Sequence, residues 1–229
     1  MKLIKIINKI EKRIYFFFII TTSLCFAGCS TRGPGTFKYI QEQNKNSINK
    51  KCFKYMEINN RYTKYNNLIK KYSNKYNVDY NLVRAIIKKE SDFMRNSISH
   101  SNAIGLMQII PKQAGRDSYN RLYKKDIIPT KCYLYNEENN IKLGVKYLST
   151  LKHRYFKNIK NKKKKELIVI ASYNAGPGSV YRFFDKDRNK AINKINKISY
   201  KKLYYLLTEK FPSNETKNYV KKVLKFKKS

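Results

Sequence analysis

From about Leu68 onward the apolar positions of this chain recur with a helical period, and no stretch alternates as a strand would. Leu68–Tyr76 and Leu82–Lys89 read as the first helices, and Lys112–Lys124 as a third. Glu138–Leu151 carries Ile141, Val145, Leu148 and Leu151 on one face, the spacing of a core-facing helix. Leu167–Tyr173 reads as a buried helical segment broken by Gly176-Pro177-Gly178, after which Val180–Phe184, Lys190–Lys194, Tyr200–Leu207 and Glu215–Phe226 continue the count. Ala103–Ile110 reads as a turn and a short apolar run stopped by Pro111, and Asp126–Asn136 as a loop. Arg154–Lys165 reads as a basic loop whose lysine run, Lys162–Lys165, forms a solvated tip. No internal repeat appears. The fold class is all-α.

The second helix has the most informative pattern. Asp79 suits an N-cap, and Val78 and Val83 stand where a hydrophobic staple forms. Val83, Ile86, Ile87 and Glu90 then follow at i, i+3, i+4 and i+7, so a carboxylate falls on the apolar face. Burial disfavours the charged form and raises its pKa, and an acid still protonated near neutrality can protonate a poor leaving group. The plain alternative is a helix-end glutamate paired with one of the many lysines.

The first 67 residues read differently. Lys2, Lys5, Lys9, Lys12 and Arg13 form a basic leader, followed by the apolar run Ile14–Ile20 and then Phe26-Ala27-Gly28-Cys29. The run is short for a membrane span and suits a secretory signal. Its ending resembles the lipobox of bacterial lipoproteins, which implies removal of residues 1–28 and acylation of Cys29. Ser30 after that cysteine implies an outer-membrane lipid anchor, with the rest of the chain facing the periplasm. Residues 29–67, with Arg32-Gly33-Pro34-Gly35, then form a flexible linker, and 68–229 form the working domain. Cys52 and Cys132 are left as a possible pair whose proximity the sequence does not fix.

Charge changes little in this reading. The formal net charge of +36 would ordinarily point to nucleic acid. Lys, Asn, Ile and Tyr are abundant throughout, however, and Trp is absent, so the lysines read as a compositional bias on solvated faces. An export signal also argues against a nucleic-acid partner. The two histidines, His100 and His153, belong to no ligand spacing, so no metal is expected. No phosphate-cradling glycine loop or nucleophile elbow appears, and no cofactor is expected.

Four short motifs give the chemistry a context: Glu90-Ser91, then Gly105-Leu106-Met107-Gln108, then Ser172-Tyr173-Asn174-Ala175-Gly176, then Glu215-Thr216 with Tyr219-Val220. In this order they resemble the lytic murein transglycosylases of the soluble-lytic-transglycosylase-like family, relatives of goose-type lysozyme. Ser99-x-Ser101-Asn102-Ala103-Ile104-Gly105 and Ala114-Gly115-Arg116-Asp117 look like its small membrane-bound, endo-type members. Ser179–Phe184 and Pro212 look like a larger lipoprotein relative. The resemblance implies a lysozyme-like domain with a substrate groove, peptidoglycan glycan strands as substrate, and cleavage of the MurNAc–GlcNAc bond with a 1,6-anhydro end. It implies Glu90 as the single acid and base. Ser99, Ser101, Met107, Gln108, Tyr173, Asn174 and Tyr219 are implied as substrate contacts or as residues that orient Glu90. Ser172 departs from the alanine usual there. Two other carboxylates compete for a catalytic role. Asp92 reads as a helix-terminal polar residue, and Glu215 as a favourable charge in the first turn of the last helix. A water-using lysozyme of the same fold and a non-catalytic murein-binding lipoprotein remain open beside the leading reading.

Overall fold

The computed structural model describes residues 60–228, so the expected leader, Cys29, Cys52 and most of the expected linker lie outside the described residues. From Asn66 onward ten α-helices follow one another, without a strand among the described residues: α1 Asn66–Tyr76, α2 Tyr80–Ser91, α3 Arg116–Tyr123, α4 Lys131–Tyr135, α5 Glu137–Thr150, α6 Lys162–Ala175, α7 Pro177–Phe184, α8 Arg188–Lys197, α9 Tyr200–Tyr205 and α10 Asn214–Lys228. None is long and apolar enough to cross a membrane.

Local chemistry sets the ends of the key helix. Asp79 caps α2 as expected, its carboxylate accepting the Leu82 N–H at 2.7 Å. Leu82, Val83, Ala85, Ile86 and Ile87 are buried along one side. The helix stops where Asp92 takes a left-handed conformation (φ 49°). The Asp92 carboxylate accepts hydrogen bonds from Arg61 (2.8 Å) and Tyr62 (2.9 Å), which agrees with a terminal structural role. Arg61 and Tyr62 fall inside the expected linker, and Tyr65 is buried, so packing begins before Leu68.

Helix α10 packs across both α2 and α6, while α1 packs on α2 and α5. Thr216, Tyr219, Val220 and Val223 form the buried face of α10, at i, i+3, i+4 and i+7. That face brings a tyrosine against the last turn of α2.

Two expectations need correction. Part of the loop expected over Asp126–Asn136 is the short helix α4, capped by Thr130, whose hydroxyl accepts the Tyr133 N–H, and followed by the α5 cap at Asn136. Five residues are too few for an apolar period to register. The lysine run is not a solvated tip either. Asn161 caps α6, and Lys162–Lys165 are its first turn. Lys164 is only 7% exposed, and its ammonium donates to the carbonyls of Ile195 (3.1 Å), Asn196 (2.7 Å) and Ile198 (2.9 Å). An ammonium has three donors, and the end of α8 offers carbonyls with no helical partner. Replacing Lys164 by methionine keeps the stem and removes the donors. The expected loss is about 3 kcal/mol, read by thermal denaturation, with Lys163→Met in the same run nearly silent.

Candidate active site

Glu90 lies in the last turn of α2, where Tyr219 of α10 donates its hydroxyl to Oε1 at 2.7 Å. Burial is the largest influence on this carboxyl and pushes its pKa up from 4.5 to about 7. The Tyr219 hydrogen bond and the Lys89 ammonium pull it down, and the charge of Glu215 pushes it up. The Lys89 ammonium sits over the Tyr219 ring, 5.2 Å from its centre. Burial and the nearby Glu90 charge raise the phenols of Tyr219 and Tyr173 well above their usual value, so both remain donors at neutral pH. Tyr173 donates to the Met107 carbonyl at 2.8 Å, and its ring packs against Tyr147. Replacing Tyr219 by phenylalanine keeps the ring and removes a bond that favours the carboxylate. The alkaline limb of any activity then moves to higher pH and the maximal rate falls about tenfold or more, read from a pH–rate profile.

The loop between α2 and α3 is folded onto this helix end by side chains from three elements. Ser91, next to Glu90, donates to the Leu106 carbonyl at 2.8 Å. Asn140 of α5 is 1% exposed and serves both directions: Oδ1 accepts the Met107 N–H (2.8 Å), and Nδ2 donates to the carbonyls of Ile104 (2.8 Å) and Leu134 (2.9 Å). Ile104 and Ile109 exchange both backbone bonds, closing a tight turn. Gly105 sits inside it at φ +78°, and a Cβ there would lie 2.3 Å from Asn140 Nδ2. Gln108 at φ 47° sends its amide back to the carbonyls of Ser97 (3.1 Å) and Gly105 (2.9 Å).

The residues singled out from sequence therefore separate. Glu90, Tyr219 and Tyr173 come together. Asn174 lies beside them at the end of α6, donating to Glu215 (2.8 Å) and accepting from Thr216 (2.7 Å), which ties α6 to the start of α10. Glu215 occupies the first turn of α10, as expected. Met107 does not line a groove: its side chain is fully buried, with its sulfur where a Cβ on Gly144 would stand. Apolar chemistry won at that position, and Met107 reaches the site only through its carbonyl. Gln108 holds the turn. Ser99 and Ser101 bond each other at 2.8 Å on the same loop, and Ser99 accepts the Ala103 N–H; neither bonds Glu90. Sequence reasoning missed Asn140, and it named Ser91 and Thr216 only as members of motifs, without the bonds they make. Asn140 follows the polar run Asn136-Glu137-Glu138-Asn139 in the first turn of α5, so nothing in the pattern sets it apart.

The model of the transglycosylase SLT domain family matches residues 67–196 of this chain. The chain belongs to that family. The matched SLT domain holds Glu90, the turn, Asn140 and Tyr173, while Tyr219 follows it. Membrane-bound lytic murein transglycosylase C of Histophilus somni is 43% identical over 162 residues, covering 71% of this chain and 44% of the relative. Its namesake from Mannheimia succiniciproducens is 40% identical over 172 residues, covering 75% of this chain and 48% of the relative. The chain thus spans somewhat under half the length of these relatives. Among solved structures, the 70 kDa soluble lytic transglycosylase of Escherichia coli aligns with a TM-score of 0.53 at 26% identity, over 71% of this chain and 23% of that one. The complex of the 70-kDa soluble lytic transglycosylase with bulgecin A aligns at 0.54 and 25%, over 72% and 24%. An inactive glutamate-to-glutamine mutant of the Pseudomonas aeruginosa enzyme aligns at 0.51 and 25%, over 72% and 23%. The SLT domain therefore has the helical, lysozyme-like fold of the lytic transglycosylases.

Proposed function

We propose that this protein is a peptidoglycan lytic transglycosylase in which Glu90 is the single acid and base. The observation that carries the reading is a carboxyl with a pKa of about 7, held by one phenol at the end of an apolar helix face. Near neutrality such a group is divided between its two forms, which suits a residue that must give a proton and then take one. The acid form donates its proton to the glycosidic oxygen, and the bond from that oxygen to the muramyl C1 breaks. The muramyl C6 hydroxyl then closes onto C1 while its proton returns to the Glu90 carboxylate, leaving a 1,6-anhydro end and consuming no water. Tyr219 supports the carboxylate between the two transfers.

Glycosidases that use water ordinarily flank the bond with two carboxylates. Here Asp92 is bound to Arg61 and Tyr62, and Glu215 accepts from Asn174 in the first turn of α10, so each has a structural role, and neither bonds Glu90. The relatives are named for lytic transglycosylase activity, and the inactive mutant of a structural neighbour replaces a glutamate by glutamine. Ser99, Ser101, Gln108, Tyr173 and Asn174 complete the reading as groove residues around the bound sugars. In the same reading Cys29 carries the lipid that holds the enzyme at the outer membrane, facing the periplasm, where it serves murein remodelling or recycling.

Digestion of purified sacculi with the full chain, followed by mass spectrometry, tests the reaction. Muropeptides one water lighter than their hydrolytic counterparts are expected. Recovery of reducing muramyl ends alone would assign a lysozyme instead, and no soluble product a binding protein.

A further inference from the structure

Beside the site, the end of α6, one side of α7, the segment before α10 and the first turn of α10 line an open pocket of about 460 Å³. Asn174 and Glu215 form the wall shared with the Glu90 site, and Phe183, Phe211, Pro212 and Arg182 form the rest of the part that matters here. Arg182 is the arginine of this pocket. Arg61, Arg95, Arg116 and Arg121 each pair with a carboxylate, while Arg84, Arg154, Arg182 and Arg188 make no ion pair among the described residues. The one side-chain partner of Arg182 is the neutral Ser179 hydroxyl at 3.3 Å. Glu215 lines the same cavity, but its Oε1 is taken by the Asn174 amide and it lies at the N-terminus of α10, where negative charge is already stabilised. A guanidinium bonded only to a neutral hydroxyl, in a pocket that also holds Glu215, whose charge reaches Glu90, fits a carboxylate held by two parallel N–H donors.

We propose that Arg182 is a specificity-determining residue that binds a carboxylate carried by the muramyl side of the strand. This rests on the function proposed above. Two sources share that chemistry: the lactyl carboxylate of a peptide-free muramyl residue, and the carboxylates of an attached peptide. Arg182 then separates anionic muramyl strands from neutral polymers with the same sugar backbone, and it places the strand relative to Glu90 without touching the reacting atoms.

The test measures binding, so it does not depend on turnover. Soluble strands of three kinds are titrated into the full-length Glu90→Gln variant: peptide-bearing, peptide-stripped, and stripped with the lactyl carboxyls amidated. The amidated strands are expected to bind at least about tenfold more weakly than one of the anionic kinds. Arg182→Gln in the same background removes that preference, and Arg182→Lys restores part of it. Preference for peptide-bearing strands alone assigns the peptide as source; preference for stripped over amidated strands assigns the lactyl group. Equal affinity for all three, or equal weakening of all three by Arg182→Gln, overturns the proposal. Arg182 is exposed, so loss of fold is not expected, and an unchanged melting temperature checks it. The two readings fail separately: absence of anhydro products from the wild-type chain counts against the lyase, and absence of charge discrimination counts against Arg182.

Discussion

Replacing Glu90 by glutamine abolishes strand cleavage and, at neutral pH and above, makes the domain more stable. In the function proposed above, the first effect follows from losing the acid that moves the proton, and a fall of at least about a thousandfold is expected. The second follows from the same burial. In the unfolded chain this carboxyl loses its proton near 4.5, while in the folded domain it holds it until about 7. The native state therefore binds more protons through that window, and stability falls as pH rises across it. Above pH 7 the loss amounts to about 3 kcal/mol at most, and below about pH 4.5 there is none. Glutamine is neutral throughout and still offers Tyr219 an oxygen. Its advantage in melting temperature is expected at pH 8 and absent at pH 4. An equal effect at both pH values would mean that Glu90 is not held in a strained charge state, and would remove the physical basis for its role as the acid.

How much of this was legible depends on what each residue answers to. Helix α2 was readable because Val83, Ile86 and Ile87 mark a face by periodicity, Asp79 marks its start by capping, and Glu90 on that face breaks the pattern. Tyr219 was named only by resemblance. Nothing in the spacing of a chain with 20 tyrosines separates the one that bonds Glu90 from those that pack. Lys164 was misread because a lysine run looks solvated, whereas the ends of α6 and α8 had to meet before three carbonyls could claim one ammonium. Met107 was misread in the other direction, as a groove residue. Its neighbour across the interface is Gly144, and small-to-large complementarity between distant positions leaves no local trace. Local chemistry writes caps and faces into the sequence, while contacts between elements appear only once the elements pack.

Asn140 shows how much can rest on such a contact. Asn140→Ala removes the partner of the Met107 N–H and of the Leu134 carbonyl in a buried setting, while the Ile104 carbonyl keeps the Ile109 N–H. Each unsatisfied group costs roughly 1–3 kcal/mol, so a loss of about 2–6 kcal/mol is expected, a large part of the total stability of a domain. In thermal denaturation this is a fall of about 5 °C or more. Asn140→Asp keeps the acceptor for Met107 but turns a carboxylate toward two carbonyls. It is expected to be worse than alanine at neutral pH and partly rescued in acid, where the protonated group regains one donor. Gly105→Ala attacks the same turn from the other side, through a Cβ that meets the Asn140 amide at a positive φ. Because these changes dismantle one unit, the double variant Asn140→Ala, Gly105→Ala is expected to lose much less than the two single losses added together. Activity should fall with each, since the turn is fastened through Leu106 to Ser91, directly beside Glu90. Additive losses, or an Asn140→Ala protein melting within about 2 °C of wild type, would show that the turn holds its shape without this side chain and that the acid is positioned by α2 and α10 alone.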